Sequence, residues 1–232
     1  MKGIAGFFKK YIWAFLNTHR QFFMVLYALI YCPWFVYLEN HVTTHYHIIH
    51  VPLDDMIPFC EFFVIPYYLW FVYMGVSMIF IALFDGPTCY KMGLFLITGM
   101  TVFLIVSTVY PNGQDLRPDL FVRDNFCVDL VRKMYAADTP TNVLPSLHVY
   151  NSIGMHLALC ASPRLARRPV IKRASGILMI LIILSTVFIR QHSVVDVFSA
   201  CAMAAIMYLV SYVIIPHLSE AKQTAVTAER KF

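Results

Sequence analysis

The sequence predicts an all-α, polytopic membrane protein: six transmembrane helices in one bundle, preceded by an amphipathic interfacial helix. Three observations predict it. Of the 232 residues, 59% are hydrophobic and only 13% charged, and mean hydropathy is +0.66, whereas soluble domains run about 45–50% apolar and about 25% charged. Six apolar stretches recur along the chain, each near the ~20 residues that a bilayer core requires. Lys and Arg gather between alternate stretches, which gives the bundle an orientation. The net charge of +5 is not a nucleic-acid signal, because the basic residues are spread between spans rather than along one motif.

Residues 3–19 place Ile4, Phe8, Tyr11 and Phe15 at helical spacing beside Lys9 and Lys10. That pattern predicts an amphipathic helix on the inner leaflet, within a cytoplasmic segment 1–20. The spans are predicted at 21–38, 59–84, 92–110, 145–161, 174–190 and 194–215, followed by a cytoplasmic tail over 216–232. The second carries Pro66, which predicts a tilt or kink. The fourth opens on Pro145, which suits the first turn of a helix. No A-x-A-like site follows the first apolar run, so that run is expected to stay as a span. Repeats, low-complexity tracts and a second composition class are all lacking, so residues 1–232 are expected to form a single membrane domain.

The 162–173 loop, with Arg164, Arg167, Arg168, Lys172 and Arg173, is the strongest cytoplasmic marker. Both termini are then cytoplasmic, in a cell or inner membrane, and two long loops face outward. One, 39–58, contains Glu39, His41, His45, His47, His50, Asp54 and Asp55; the other, 111–144, contains five Asp. His45-x-His47 has a spacing that zinc accepts, but no third ligand pattern accompanies it, so neither a metal nor another cofactor is expected. The six cysteines lack CxxC spacing. Cys60 and Cys127 can meet on the outer face, though their spacing demands no bridge.

Polar groups cluster at the outer ends of these spans. Arg117 follows the third, Ser146 and His148 open the fourth, and Arg190, His192 and Asp196 lie where the fifth gives way to the sixth. Ionisable groups are costly at a membrane edge and tend to mark function. His192 and Asp196 are one helical turn apart, so the carboxylate can orient the imidazole and leave its other nitrogen as base or nucleophile. Guanidinium forks match phosphate oxygens, and the N–H groups at Ser146-Leu147-His148 open a helix where anions bind. One histidine can attack phosphorus while a second protonates the leaving oxygen. The bland alternative makes Arg190 and His192 headgroup anchors and Asp196 a capping acid. His156, deeper in the fourth span, reads as a hydrogen-bonded interior histidine.

Pro145-Ser-Leu-His148 resembles the Pro-Ser-Gly-His motif of the type-2 phosphatidic acid phosphatase superfamily. Ser185–Asp196 resembles its Ser-Arg-x5-His-x3-Asp motif, and Leu116-Arg-Pro118 the end of its Lys-x6-Arg-Pro motif. Leu147 at the third motif position, together with Gln191-His192-Ser193, is more similar to the branch containing inositol-phosphorylceramide and sphingomyelin synthases; Pro52–Pro58 points the same way. The resemblance implies His192 as nucleophile forming a phosphohistidine, Asp196 orienting it, His148 as general acid and Arg117 on the phosphate. Tyr110 and Thr186 stand where the family has Lys and Arg, and Arg190, four residues after Thr186, is expected to replace the second cation from the same helix face. The expected activity is metal-independent hydrolysis of a lipid phosphomonoester or phospho-headgroup. The substrate would be a phospholipid or an isoprenoid or sphingolipid phosphate, met at the exoplasmic face. Two alternatives stand beside it: transfer of the phospho-headgroup to a lipid alcohol, and a non-catalytic lipid-binding or carrier protein.

Overall fold

A computed structural model describes residues 20–218. The amphipathic segment expected at 3–19 therefore lies outside the described residues, as does most of the expected tail. The described chain is mostly helical: α1 (Ala28–His41), α2 (Pro52–Met56), α3 (Val64–Phe84), α4 (Gly86–Val109), α5 (Phe126–Ala137), α6 (Leu147–Ala161), α7 (Pro169–Phe188) and α8 (Val194–Tyr208). Two short strands, β1 (His47–Ile48) and β2 (Asn112–Gly113), pair in parallel, His47 opposite Asn112. They tie the chain just before α2 to the chain just after α4.

Five stretches are long and apolar enough to cross a membrane: Gln21–His41, Glu61–Phe84, Gly86–Val109, Pro169–Phe188 and Val194–Leu218. The fourth expected span is shorter. It is the fifteen-residue α6, about 22 Å at 1.5 Å per residue, against a hydrocarbon core of ~30 Å. Its packing accounts for that length. Val149, Tyr150, Met155 and Ala158 are fully buried, and α6 packs against α3, α4, α7 and α8. A helix walled in by its neighbours answers to their shape rather than to the bilayer thickness. The outward faces of α1, α3, α7 and α8 instead expose Leu29, Val72, Ile177, Phe198 and similar residues, as a lipid-facing surface does.

Helix starts follow local capping chemistry rather than hydropathy. The third span begins at Gly86, upstream of the expected 92, because the Asp85 carboxylate accepts from Thr88 N at 3.2 Å and Pro87 stands in the first turn. The fifth begins at Pro169 rather than 174, again with proline in the first turn, so Lys172 and Arg173 ride inside a helix instead of preceding it. The sixth runs past Tyr208 through a π-helical turn, Leu209–Ile214. All six cysteines are free thiols.

At the centre α4 and α6 approach closely. A Cβ added to Gly99 would lie 2.0 Å from the Tyr150 ring, and one on Gly154 would lie 2.6 Å from Phe95. The Phe95 and Tyr150 rings stack at 4.5 Å, and the Tyr150 hydroxyl donates to the Phe95 carbonyl at 2.7 Å. Small residues that let helix backbones meet are a recurring device in membrane bundles. This contact fixes α6, and with it the outer end where His148 sits.

Candidate active site

α7 ends at Phe188, and the chain turns back sharply. Gln191 N and His192 N both donate to the Thr186 carbonyl, at 2.9 and 3.0 Å, and Arg190 takes a left-handed φ of 54° to allow the turn. α8 then opens with a capping box, in which the Ser193 side chain caps the helix and Asp196 reaches back to Ser193 N at 3.0 Å. The same Asp196 oxygen lies 3.2 Å from His192 Nδ1. Asp196 is fully buried, and its other oxygen has no partner. A buried carboxylate on Nδ1 fixes the tautomer and leaves Nε2 with a lone pair. The one-turn spacing in the sequence is therefore a real contact, and cap and orienting acid are the same residue.

His148 faces this pair from the first turn of α6. Its ring stacks on Tyr67 at 4.5 Å, abuts Trp70 at 4.4 Å and lies 6.0 Å from the His192 ring, centroid to centroid. Its Nε2 has no hydrogen-bond partner. Ser146 lies behind the site rather than on it. Its Oγ accepts from Val149 N at 3.4 Å as the cap of α6, and its own N–H donates to the Asp196 carbonyl at 3.2 Å. That bond ties the two helix starts, and hence His148 and His192, to each other. It also consumes one of the three N–H groups expected to hold an anion.

Both arginines are engaged elsewhere. Arg190 donates to the carbonyls of Asp54 at 2.9 Å and Ile57 at 2.5 Å, pinning the α2 loop against the α7–α8 turn. The expectation that it shares a helix face with Thr186 does not hold, because the helix stops before it and the backbone reverses. Arg117 donates to the carbonyls of Tyr135, Asp138 and Thr139, at 3.2, 2.9 and 3.2 Å, and to Gln191 Oε1 at 2.7 Å. Its guanidinium lies over the Tyr135 ring at 4.5 Å. Burial draws its pKa below the ordinary arginine value, with Asp138 opposing, yet a guanidinium stays charged throughout the working range.

The two histidines open onto a cavity of about 480 Å³. Its walls are mainly apolar: Tyr31 and Phe35 of α1, Phe71 of α3, Met100 and Phe103 of α4. Near the histidines it carries Glu39, Asp138, Gln191 and Asn151, and neither Lys nor Arg is among the lining residues. Gln191 links the layers, donating to Asp138 Oδ2 at 3.1 Å while accepting from Arg117. Glu39 accepts from Thr139 Oγ1 at 2.6 Å and Asn142 Nδ2 at 2.8 Å. Burial, reinforced by Glu39, holds the Asp138 carboxyl above the ordinary carboxylate range, with Arg117 opposing.

Several of these residues escape sequence reasoning. Asp54 is 2% exposed and accepts from Ser193 Oγ at 2.7 Å, Val194 N at 2.8 Å and Val51 N at 2.9 Å; in the sequence it is one acid of the 39–58 loop, within Pro52–Pro58, with no sign of these partners. Asp138, Glu39 and Asn151 belong to no motif and reach the cavity by tertiary packing alone. Tyr67 and Trp70, three residues apart on α3, carry a helical spacing that reads equally well as lipid-facing. The loop histidines disperse. His47 stacks on Tyr110 at 4.3 Å and His41 on Tyr37 at 3.9 Å, while His50 bridges Asp55 and Asp115, each at 2.9 Å. Among the described residues no group of three or more His, Cys, Asp or Glu is arranged to hold a metal ion. His156 is an interior histidine whose Nδ1 lies 3.0 Å from Ser175 Oγ. Comparison with protein-family models, curated proteins and solved structures finds no match.

Proposed function

We propose that this chain is an integral membrane enzyme that cleaves a phosphoester of a lipid through a phosphohistidine on His192. One observation carries the reading: a buried Asp196–His192 pair faces a second, partnerless histidine across the mouth of an apolar cavity. The motif resemblance of Pro145–His148 and Ser185–Asp196 to the type-2 phosphatidic acid phosphatase superfamily supports it. His192 Nε2 attacks phosphorus and a P–N bond forms as the bond from phosphorus to the lipid oxygen breaks. His148, protonated, donates its proton to that oxygen. Water then attacks phosphorus, neutral His148 takes its proton, and the P–N bond breaks to release phosphate and return neutral His192. Asp196 holds the ring and offsets the charge it gains. In this reading six helices cross the bilayer, α6 being the central one. Both termini and the 162–173 loop are cytoplasmic, and the site opens to the exoplasmic side.

The acidic lining favours a second reading of the same chemistry. A phosphomonoester dianion would meet Glu39 and Asp138 on a wall that no lysine or arginine lines, Arg117 lying behind it on the Asp138 and Thr139 carbonyls. A singly charged phosphodiester bearing a cationic headgroup suits that wall better, by simple charge complementarity. The headgroup phosphate then passes to water or to a lipid alcohol that reaches the phosphohistidine.

The test is trapping. Purified protein incubated with a panel of radiolabelled phospholipids, with and without a lipid-alcohol acceptor, is quenched in base and mapped by mass spectrometry. An acid-labile label on His192 is expected, lost in His192→Ala. Lipid turnover that persists in His192→Ala would overturn the mechanism.

A further inference from the structure

Besides the histidines, three cavity-lining side chains keep a buried polar atom without a partner, Asn142, Asn151 and Trp70, and the last two adjoin His148. Asn151 is 5% exposed, lines the cavity three residues after His148, and its Oδ1 has no hydrogen-bond partner. Trp70 lines the same cavity, its ring against His148, and its buried Nε1 is likewise without a partner. Buried polar atoms are satisfied in nearly all native structures, because one left bare has lost its water without gaining a partner. These two are an acceptor and a donor, in the same cavity as the reacting histidines and the apolar side chains Phe35, Met100 and Phe103.

We infer that Asn151 and Trp70 form a subsite for the polar backbone of a lipid, the link between headgroup and chains. The indole N–H can only donate and so takes a carbonyl oxygen. Asn151 Oδ1 can only accept, so the ligand must also bring a donor. Ester-linked chains without a free hydroxyl lack one. A backbone amide supplies both the N–H and the carbonyl, and a free hydroxyl beside an ester does the same. The class recognised is therefore a lipid with a hydrogen-bond donor and a carbonyl in its backbone, its chains lying along the apolar wall. The inference rests on the proposed function for why a lipid backbone comes to this depth, but its test is binding rather than turnover.

Full-length protein in nanodiscs, in the His192→Ala background, is titrated with three chain-matched neutral probes. One is amide-linked, one is a diacylglycerol with a free hydroxyl, and one is the same diester with that hydroxyl methylated. At least one donor-bearing probe is expected to bind about tenfold tighter than the methylated diester, the factor for one hydrogen bond; whichever does so identifies the source of the donor. Asn151→Leu removes only an unpartnered amide and is expected to fold normally. It should reduce the preference to about twofold or less, while Trp70→Phe weakens all three carbonyl-bearing probes alike. Equal binding of the three probes to the Asn151-intact protein, binding of none, or a preference that survives Asn151→Leu would overturn the subsite. The preference in His192→Ala, together with wild-type protein that forms no phosphohistidine with any labelled lipid, would overturn the catalytic reading and leave the subsite standing.

Discussion

At the scale of single residues, the site depends on groups that do two jobs. Asp196 both closes the cap of α8 and holds His192 Nδ1. Asp196→Asn keeps the shape but loses the charge and can fix the wrong tautomer. Turnover is expected to fall roughly 10³–10⁴-fold, as when a histidine-orienting aspartate is neutralised in a catalytic triad, with the labelled phosphohistidine forming correspondingly slowly. Arg190 clamps the backbone of the α2 loop through the Asp54 and Ile57 carbonyls. Arg190→Ala loses two charge-assisted hydrogen bonds and leaves alanine at a positive φ, so a loss of about 3 kcal/mol in stability is expected. Turnover per folded molecule should drop by less than about tenfold, which is 1.4 kcal/mol of barrier. A fall of several orders of magnitude at unchanged melting temperature would instead place the guanidinium on the phosphate. Asp138 gives a pH signature. Burial raises its folded pKa above the unfolded value near ~3.9, so the folded state holds the extra proton between the two values. Stability then falls as pH rises through that window. Asp138→Asn keeps an acceptor for Gln191, and its melting temperature should exceed the wild type's at pH 7. The difference should close as pH falls below the ordinary carboxylate range. A variant less stable at pH 7 would mean that attraction to Arg117 outweighs burial.

At the scale of elements, α6 is the one on which the site hangs. Its inner part is locked by the Gly99–Tyr150 and Gly154–Phe95 contacts, and its outer end by the bond from Ser146 N to the Asp196 carbonyl. Gly99→Ala would force a methyl into the Tyr150 ring, and overpacking of this kind costs about 1–3 kcal/mol. A lowered melting temperature is expected in a thermal-shift measurement in detergent. Turnover should fall with it, because a displaced α6 carries His148 away from His192. The α2 loop plays the matching part for α8. Asp54 accepts from two donors at the α8 start, and Arg190 grips the backbone of that loop from the other side. The loop thus holds the start of α8, next to His192, without lining the cavity.

At the scale of the molecule, the arrangement requires a sidedness. If the basic 162–173 loop is cytoplasmic, the α7–α8 turn and the cavity mouth face the opposite compartment. Cysteines introduced at Arg167 and at Asp119, labelled with a membrane-impermeant thiol reagent, are expected to react from opposite faces. Reaction from one face would overturn the orientation and the exoplasmic site together. The lining also bears on chemistry at this scale. Residues from α1, α3, α4, α5, α6, the 138–143 segment and the α7–α8 turn meet around one cavity, so its acidic and apolar character belongs to the assembled bundle and to no segment of it.

Composition alone identified a membrane-embedded helical chain, because apolar stretches of bilayer length admit few other structures. Local spacing located the His192–Asp196 pair and put His148 near a helix start, since a four-residue step on a helix and a Ser146 cap are short-range facts. The sequence did not carry the fates of Arg117 and Arg190. Their guanidinia could serve phosphate or backbone equally well until the turn after Phe188 and the α2 loop brought carbonyls within reach. Nor did it carry Glu39, Asp138 and Asn151 as cavity residues, or α6 as a short helix at the centre. Those follow from which helices are neighbours, and that is decided by contacts between residues far apart in the chain, such as Gly99 with Tyr150 and Ser193 with Asp54.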